Sequence, residues 1–358
     1  MKIATILGTR PEIIRLSLII KKLDQKTKHT LIHTGQNYSH NLKNIFFTQL
    51  KIRRPDYYLN AINSATGYQL GKIMEETYKI LNKIRPDKVL ILGDTNSGLS
   101  AIIAEKMMIP VYHMEAGNRC YDLTVPEEKN RHIIDSVSTY NLPYTPGSYD
   151  NLIKENQQKN KTIITGNPIN EVLINYKKEI QNSKILQKLN LKEKKYFIFT
   201  SHRAENVDNP KRLKEIFKGL DLITKKYKMP IIGSLHPRTK EKMQKYKIYP
   251  KNSLINLIDP VGFFDFVQLE KNAICAISDS GTVQEECCIL KVPTVTIRMT
   301  TERPETIQCG SNILSGLNSV NILNCVDKMI NKKRTWKIPK GYADKKVSDK
   351  VIKILLNK

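Results

Sequence analysis

The sequence predicts an α/β protein with two Rossmann-like, doubly wound parallel-sheet domains facing a cleft. Three observations predict it. Short β-branched runs alternate with helix-spaced segments, and the alternation comes in two series. The 358 residues also suffice for two cores, because a single core stops growing near about 250–300 residues. Strand, helix, strand in repeated order means parallel pairing with helices on both faces.

In the first series, strands are expected at "IATIL", "HTLIHT", "KVLILG", "IPVYHM" and "KTIIT"; in the second, at "YFIFTS", "MPIIGSL", "SLINLI", "AICAIS" and "VPTVTI". Each run is short, β-branched and bounded by Gly- or Pro-marked turns. Between them Ile13, Leu16, Ile20 and Leu23 recur at helical spacing, as do Leu213, Ile216, Leu220 and Ile223. The polar, Lys-rich passage "NEVLINYKKEIQNSKILQKLNLKEKK" separates the series and puts the boundary between residues 168 and 190. We set the domains at 1–170 and 171–343. An amphipathic helix at 344–358, started by Ser348 or a neighbouring Asp, is expected to complete the first.

With 59 Lys+Arg against 34 Asp+Glu, the formal net charge is +25, which would favour nucleic acid, an anionic membrane or a phosphorylated substrate. The lysines are scattered, with no compact Arg stripe and no interleaved aromatics to stack on bases, so a solvated Lys-biased surface is expected and nucleic acid is not. Cys120, Cys275, Cys287, Cys288, Cys309 and Cys325 form no CxxC pair and no zinc spacing. Packed, reduced thiols, no metal and a cytoplasmic location follow as expectations. "MKIATILGTRPE" has too short an apolar run for a signal segment, and no stretch nears the roughly 20 apolar residues of a membrane helix.

Ligands of open α/β sheets sit outside the carboxyl ends of the strands, and the charged motifs fall there. In "ILGTRPE", Gly8 allows a tight turn and Pro11 suits the start of a helix whose N–H groups attract an anion, with Arg10 and Arg15 nearby. In "ILGDTNS", Asp94 ends a strand, either as a functional carboxylate or as a helix cap together with Thr95 or Ser97. Glu115 in "HMEAG" must find a partner or shift its pKa. Glu127 and Glu128 follow Pro126 in a helix's first turn, where negative charge is favoured anyway. Glu128, Lys129 and His132 fit a solvated charged face.

In the second half, "FTSHRAENV" and "GSLHPRT" set His202–Arg203 and His236–Arg238 after strands, a repeated pairing that points to anion binding. In "ISDSGTVQEE", Ser280, Gly281 and Thr282 offer a nest of N–H groups for phosphate, with Glu285 one turn on; a plain capped helix is the alternative. "TTERPE" places Arg303 before a further helix start. Together these suit a nucleotide diphosphate whose attached group undergoes acid/base chemistry.

"GTRPE", "GDT", "EAG", "PEEKNR", "TGNP", "SHR", "HPR", "DSGTVQEE" and "TERPE", in this order over nearly the whole chain, resemble the non-hydrolysing UDP-N-acetylglucosamine 2-epimerases. The resemblance implies a GT-B-like architecture, interconversion of UDP-GlcNAc and UDP-ManNAc without a cofactor, and a homodimer. It further implies Asp94, Glu115 and Glu127 as catalytic carboxylates and His202 as an essential histidine. Arg10, His202, Ser280, Gly281 and Thr282 look like diphosphate and nucleotide contacts, Glu285 a ribose contact, and Phe266 in "GFFDFVQL" a uracil-side contact through its backbone. Arg303 and Arg131 match further positions of the family's ligand frame, and His236 is expected beside the substrate.

Three departures matter. Arg15 stands where many members have lysine, giving a planar bidentate donor. "GNRCYDLTVPEEKNR" with "RPEIIRLS" looks more like the branch that converts UDP-2-acetamido-2,6-dideoxy-L-talose to UDP-N-acetyl-L-fucosamine for surface polysaccharide. "TGQNYSH" differs from the version in enzymes activated by UDP-GlcNAc. More distant alternatives are a hydrolysing epimerase, a glycosyltransferase of the same fold and a basic nucleic-acid-binding protein.

Overall fold

The computed structural model describes residues 1–35, 40–61 and 65–357, with the backbone alone at 40–44. Contacts divide the chain into two compact units, Met1–Asn175 with Lys340–Lys358, and Tyr176–Pro339.

The first unit holds β1 (Lys2–Leu7), β2 (Lys28–His33), β3 (Tyr57–Tyr58), β4 (Lys88–Leu92), β5 (Val111–Met114) and β6 (Tyr140–Leu142), in the order β3-β2-β1-β4-β5-β6. The second holds β7 (Phe197–Thr200), β8 (Ile231–Ser234), β9 (Ile255–Ile258), β10 (Cys275–Ser278), β11 (Thr294–Thr296) and β12 (Asn312–Leu314), in the order β12-β11-β10-β7-β8-β9. Read from β9 inward, the second order repeats the first. Every pairing is parallel, with Thr5 opposite Leu90 and Ile277 opposite Phe199. In each unit the strand order therefore reverses beside the first strand, between β1 and β4 and between β7 and β10, where such sheets open a crevice at their carboxyl ends.

Strands covered on both faces must be apolar throughout, and β10 is buried at all four positions. Alternation then sorts side chains by face. Phe197, Phe199 and Ile277 join a cluster with Leu213 and Ile216, while Ile198, Ile232 and Ala276 join another with Leu269 and Val283. The first unit's core is built around Ile6, Ile32, Val89, Ile91 and Val111.

Several local expectations need correction. "KTIIT" is no strand: Thr162 makes one parallel bridge to Asn141, and the chain turns away at Gly166 with φ +90°. β3 and β12, two and three residues long, are too short to leave a pattern. The last helix is Val347–Leu356, and Ser348 lies inside it. The carboxylate at its start comes from Glu171, which accepts Ser348 N at 2.7 Å and Ser348 Oγ at 2.5 Å. No described helix is long and apolar enough to cross a membrane.

Candidate active site

In the first unit β1 runs through Gly8 and Thr9 into helix Arg10–Lys26, with Pro11 in its first turn. At this helix start the chain supplies a carboxylate of its own. Glu12 Oε2 accepts Gly8 N at 2.5 Å and Thr9 N at 3.1 Å, and Oε1 accepts Thr95 Oγ1 at 2.8 Å. The T-x-x-E spacing makes this arrangement a capping box. The Arg10 guanidinium lies 5.7 Å from the centroid of the Phe46 ring.

Burial pushes the Glu12 carboxyl up to about 7, against the Gly8 N–H and the Thr95 hydroxyl that pull it down. Its pKa being raised, the folded protein binds more protons here than the unfolded chain does. The stability it contributes is complete below about 4.5 and is lost as pH rises through about 7. Replacing Glu12 by Gln is therefore expected to flatten the fall in unfolding free energy across this window by an amount on the order of 3 kcal/mol. Denaturant titrations of both proteins at the two ends of the window check this, and equal slopes contradict it.

Asp94 follows β4 after Gly93, and the N-cap of the short helix beyond it is Thr95, which accepts Ser97 N. Asp94 Oδ2 instead accepts Arg131 Nε at 2.8 Å, with Arg131 Nη2 at 2.6 Å. Arg131 also holds Glu128 Oε2 at 2.5 Å. Glu128 is fully buried and accepts Tyr121 N at 2.9 Å and Cys120 N at 3.1 Å. That overturns its reading as part of a solvated face, which fits Lys129 and the 41%-exposed His132 side chain. Asn130 Nδ2 adds a bond to Asp94 O at 2.9 Å. Helix Pro126–Val137 is thus docked on the Asp94 turn, with half-buried Glu127 in its first turn.

Glu115 lies one residue past β5 with φ +69°. A left-handed conformation at a residue with a side chain costs on the order of 1–3 kcal/mol and persists where surroundings over-determine it, often at active sites. Its Oε2 bonds Arg15 Nη1 at 2.6 Å, with both side chains buried. A Cβ on Gly93 would stand 3.8 Å from Glu115 Oε2, so the carboxylate overlooks the turn leading to Asp94. β4 and β5 are neighbours with Leu92 opposite Met114, and their ends gather Asp94, Glu115, Arg15 and Arg131.

In the second unit the pivot is Asp279, one residue past β10 and fully buried. It accepts Ser201 Oγ at 2.7 Å, the N–H groups of His202 and Arg203 at 3.1 Å, and Asn206 Nδ2 at 3.0 Å. This fixes the loop after β7 and leaves the His202 ring 38% exposed, with Nδ1 3.5 Å from Asp279 Oδ1. The His236 ring centroid is 5.8 Å from that of His202, and His236 Nδ1 caps helix Pro237–Tyr246 by accepting Arg238 N at 3.2 Å.

Helix Gly281–Ile289 starts directly after this pivot, with Ser280 at its N-cap. Ser280 N is already committed to Ser278 Oγ at 3.0 Å, which trims the expected phosphate nest to its Gly281 and Thr282 part. A Cβ on Gly281 would come within 2.8 Å of Glu302 Oε1 and 3.5 Å of Arg303 Nη2, so only glycine lets these groups close over the helix start. Glu302 accepts Arg298 Nη1 and Arg203 Nη2, each at 2.7 Å, and the fully buried Glu285 pairs with Arg303 Nε. Arg203, Arg298 and Arg303 thus gather around Glu302 and Glu285, with planar donors of the kind that suit phosphate oxygens. Phe266 lies in helix Phe263–Asn272, and its N–H is committed to Gly262 O at 3.0 Å.

Glu12, Glu128, Asp279 and Glu302 escaped sequence reasoning; only Glu12 carries a local signal, the capping-box spacing. Of "TGQNYSH", Gln36–Ser39 lie outside the described residues. Among the described residues no group of three or more His, Cys, Asp or Glu could hold a metal ion. All six cysteines are free, five of them buried.

Comparison with known proteins points one way. Residues 21–356 match the family profile described as UDP-N-acetylglucosamine 2-epimerase. The chain is 44% identical to a UDP-N-acetylglucosamine 2-epimerase of Methanocaldococcus jannaschii over 99% of each chain. It is 45% identical to that of Methanococcus maripaludis, over 95% of this chain and 94% of the other. A crystal structure of the Methanocaldococcus jannaschii UDP-GlcNAc 2-epimerase in complex with UDP-GlcNAc and UDP superposes with a TM-score of 0.95 at 43% identity, covering 99% of each chain. With the strand-end carboxylates in one unit and the guanidinium cluster in the other, these matches establish that the chain belongs to the UDP-N-acetylglucosamine 2-epimerase family.

Proposed function

We propose that this protein interconverts UDP-GlcNAc and UDP-ManNAc by eliminating UDP and adding it back with inversion at C2. The observation that carries the reading is the full-length match to an enzyme whose structure holds UDP-GlcNAc and UDP. The C2 hydrogen of an N-acetylhexosamine is not next to a carbonyl, so direct removal would leave an unstabilised carbanion. Loss of UDP from C1 with removal of the C2 proton instead gives a 2-acetamidoglycal. Re-addition of UDP, with protonation from the other face, completes the inversion.

Such a path needs a base and an acid near C2, each worth about 10²–10⁴-fold, and fixed cations for the departing diphosphate. In this reading Asp94, Glu115 and Glu127 supply acid and base. Arg10, His202, Arg303 and the Ser280–Gly281–Thr282 helix start hold UDP; His236, Phe266 and Glu285 serve the nucleotide side. Arg15 and Arg131 hold the carboxylates they already touch. The homodimer and the cytoplasmic location expected from the sequence belong to the same proposal.

Incubation in D₂O with UDP-GlcNAc, followed by NMR, is expected to place deuterium at C2 of both epimers. A parallel incubation with the 6-deoxy talose nucleotide tests the other branch. Turnover of that nucleotide alone would move the substrate to it, and C2 labelling with neither would overturn the mechanism.

A further inference from the structure

Two buried residues outside the substrate-facing set tie the two carboxylate turns together. Asp135, in helix Pro126–Val137, is 1% exposed, and His113, in β5, is fully buried. Asp135 Oδ1 lies 2.8 Å from His113 Nδ1, and Oδ2 accepts Gly117 N at 3.0 Å. His113 and Gly117 stand two residues to either side of Glu115, so one carboxylate grips both ends of its left-handed turn. On its other side His113 Nε2 lies 2.9 Å from Gly93 O, the carbonyl before Asp94. A carbonyl and an ionised carboxylate only accept, so both ring nitrogens of His113 face acceptors.

The rest of the surroundings fix this pair in place. Arg119 Nη2 sits 2.7 Å from Asp135 Oδ2 and 2.6 Å from Glu155 Oε2. Burial alone would raise the Asp135 carboxyl, but the bonds and charges of His113 and Arg119 outweigh it and hold it below the usual carboxylate range. Gly117 has φ +78°, and a Cβ there would meet Ser148 O at 2.1 Å, so the turn has no alternative seat. Gly93 N closes the frame by donating to Met114 O at 3.1 Å.

We infer that His113 and Asp135 are positioning residues, which set Asp94 and Glu115 at their mutual spacing from beneath without touching substrate. The inference rests on the epimerase reading. A carboxylate misplaced by about 1 Å can cost about 10²-fold in rate, so displacement of the Gly93 carbonyl is expected in kcat and not in UDP binding.

His113→Asn and His113→Gln separate the two bonds. The Asn amide reaches only as far as Nδ1, keeping Asp135 and losing Gly93 O; the Gln amide reaches as far as Nε2 and keeps Gly93 O. We expect His113→Asn to lower kcat about 10²-fold, with KM and UDP affinity within about twofold of the original, and His113→Gln to recover at least about tenfold of that loss. A merely space-filling role would move both variants alike and would not favour Gln. Asp135→Asn, with an intact amide oxygen for Gly117 N, is expected to follow with reduced kcat at unchanged UDP affinity. UDP titration calorimetry on each variant shows that the second unit's binding groups are intact and keeps a folding defect distinct. Equal activity of the Asn, Gln and unaltered proteins overturns the inference alone, as does a loss confined to KM. An unaltered protein with no C2 exchange overturns the epimerase reading as well.

Discussion

Replacing Glu115 by Gln is expected to lower kcat about 10³-fold while UDP still binds. Gln has the shape of Glu and keeps an acceptor for Arg15 Nη1, now 2.6 Å from Oε2, but it can neither take a proton from C2 nor return one, and proton transfer by a placed side chain is worth about 10²–10⁴-fold. The substitution also removes the charge that answers a buried guanidinium, so melting is expected to move down with a single cooperative transition retained. Steady-state turnover of UDP-GlcNAc with UDP calorimetry on the same preparation separates the two effects. Turnover within about tenfold of the original would remove Glu115 from the chemistry and reduce its strained turn to a structural oddity.

Asp279→Ala carries the largest expected loss of stability, about 4 kcal/mol or more. Four donors, Ser201 Oγ, His202 N, Arg203 N and Asn206 Nδ2, converge on this carboxylate, and each donor left buried without an acceptor costs about 1–3 kcal/mol. The losses do not add fully, because a freed loop relaxes toward water. UDP affinity is expected to fall with stability, since the loop bears His202. Asp279→Asn, which keeps one acceptor oxygen, should lose roughly half as much. Urea unfolding measures both, and a loss below about 1 kcal/mol for the alanine variant would show that the loop holds itself.

The fold was legible because the central parallel strands are short and largely apolar, and because glycines mark the turns where β1, β4 and β10 end. Candidate residues stood out wherever a charged residue follows such a strand within two positions, as Asp94, Glu115 and His202 do. Legibility failed where burial depends on a distant element. Glu128 looks like one member of an amphipathic charged helix until Arg131 and the backbone of Cys120 and Tyr121 are folded onto it. Asp279 sits inside a motif whose neighbours drew attention for their N–H groups, and its bonds cross about 75 residues of chain. Ser348 has the composition of a cap, yet its partner is Glu171, which no local window contains. β12 pairs through three residues, below the length at which alternation means anything.

Residues Lys340–Lys358 rejoin the unit that begins at Met1. Helix Val347–Leu356 buries Val351, Ile352 and Leu355, its Asp349 takes Lys22 Nζ at 2.6 Å, and Lys88 Nζ donates to Leu355 O at 2.8 Å. During translation the middle of the chain can finish its own core while the opening part still lacks a wall, because that wall is made after Tyr176–Pro339. Maturation is thus expected to proceed out of sequence order, with the earlier-made lobe sealed later than the one synthesised after it. A nascent chain halted before residue 340 should resist protease in its latter half and be cut in its former.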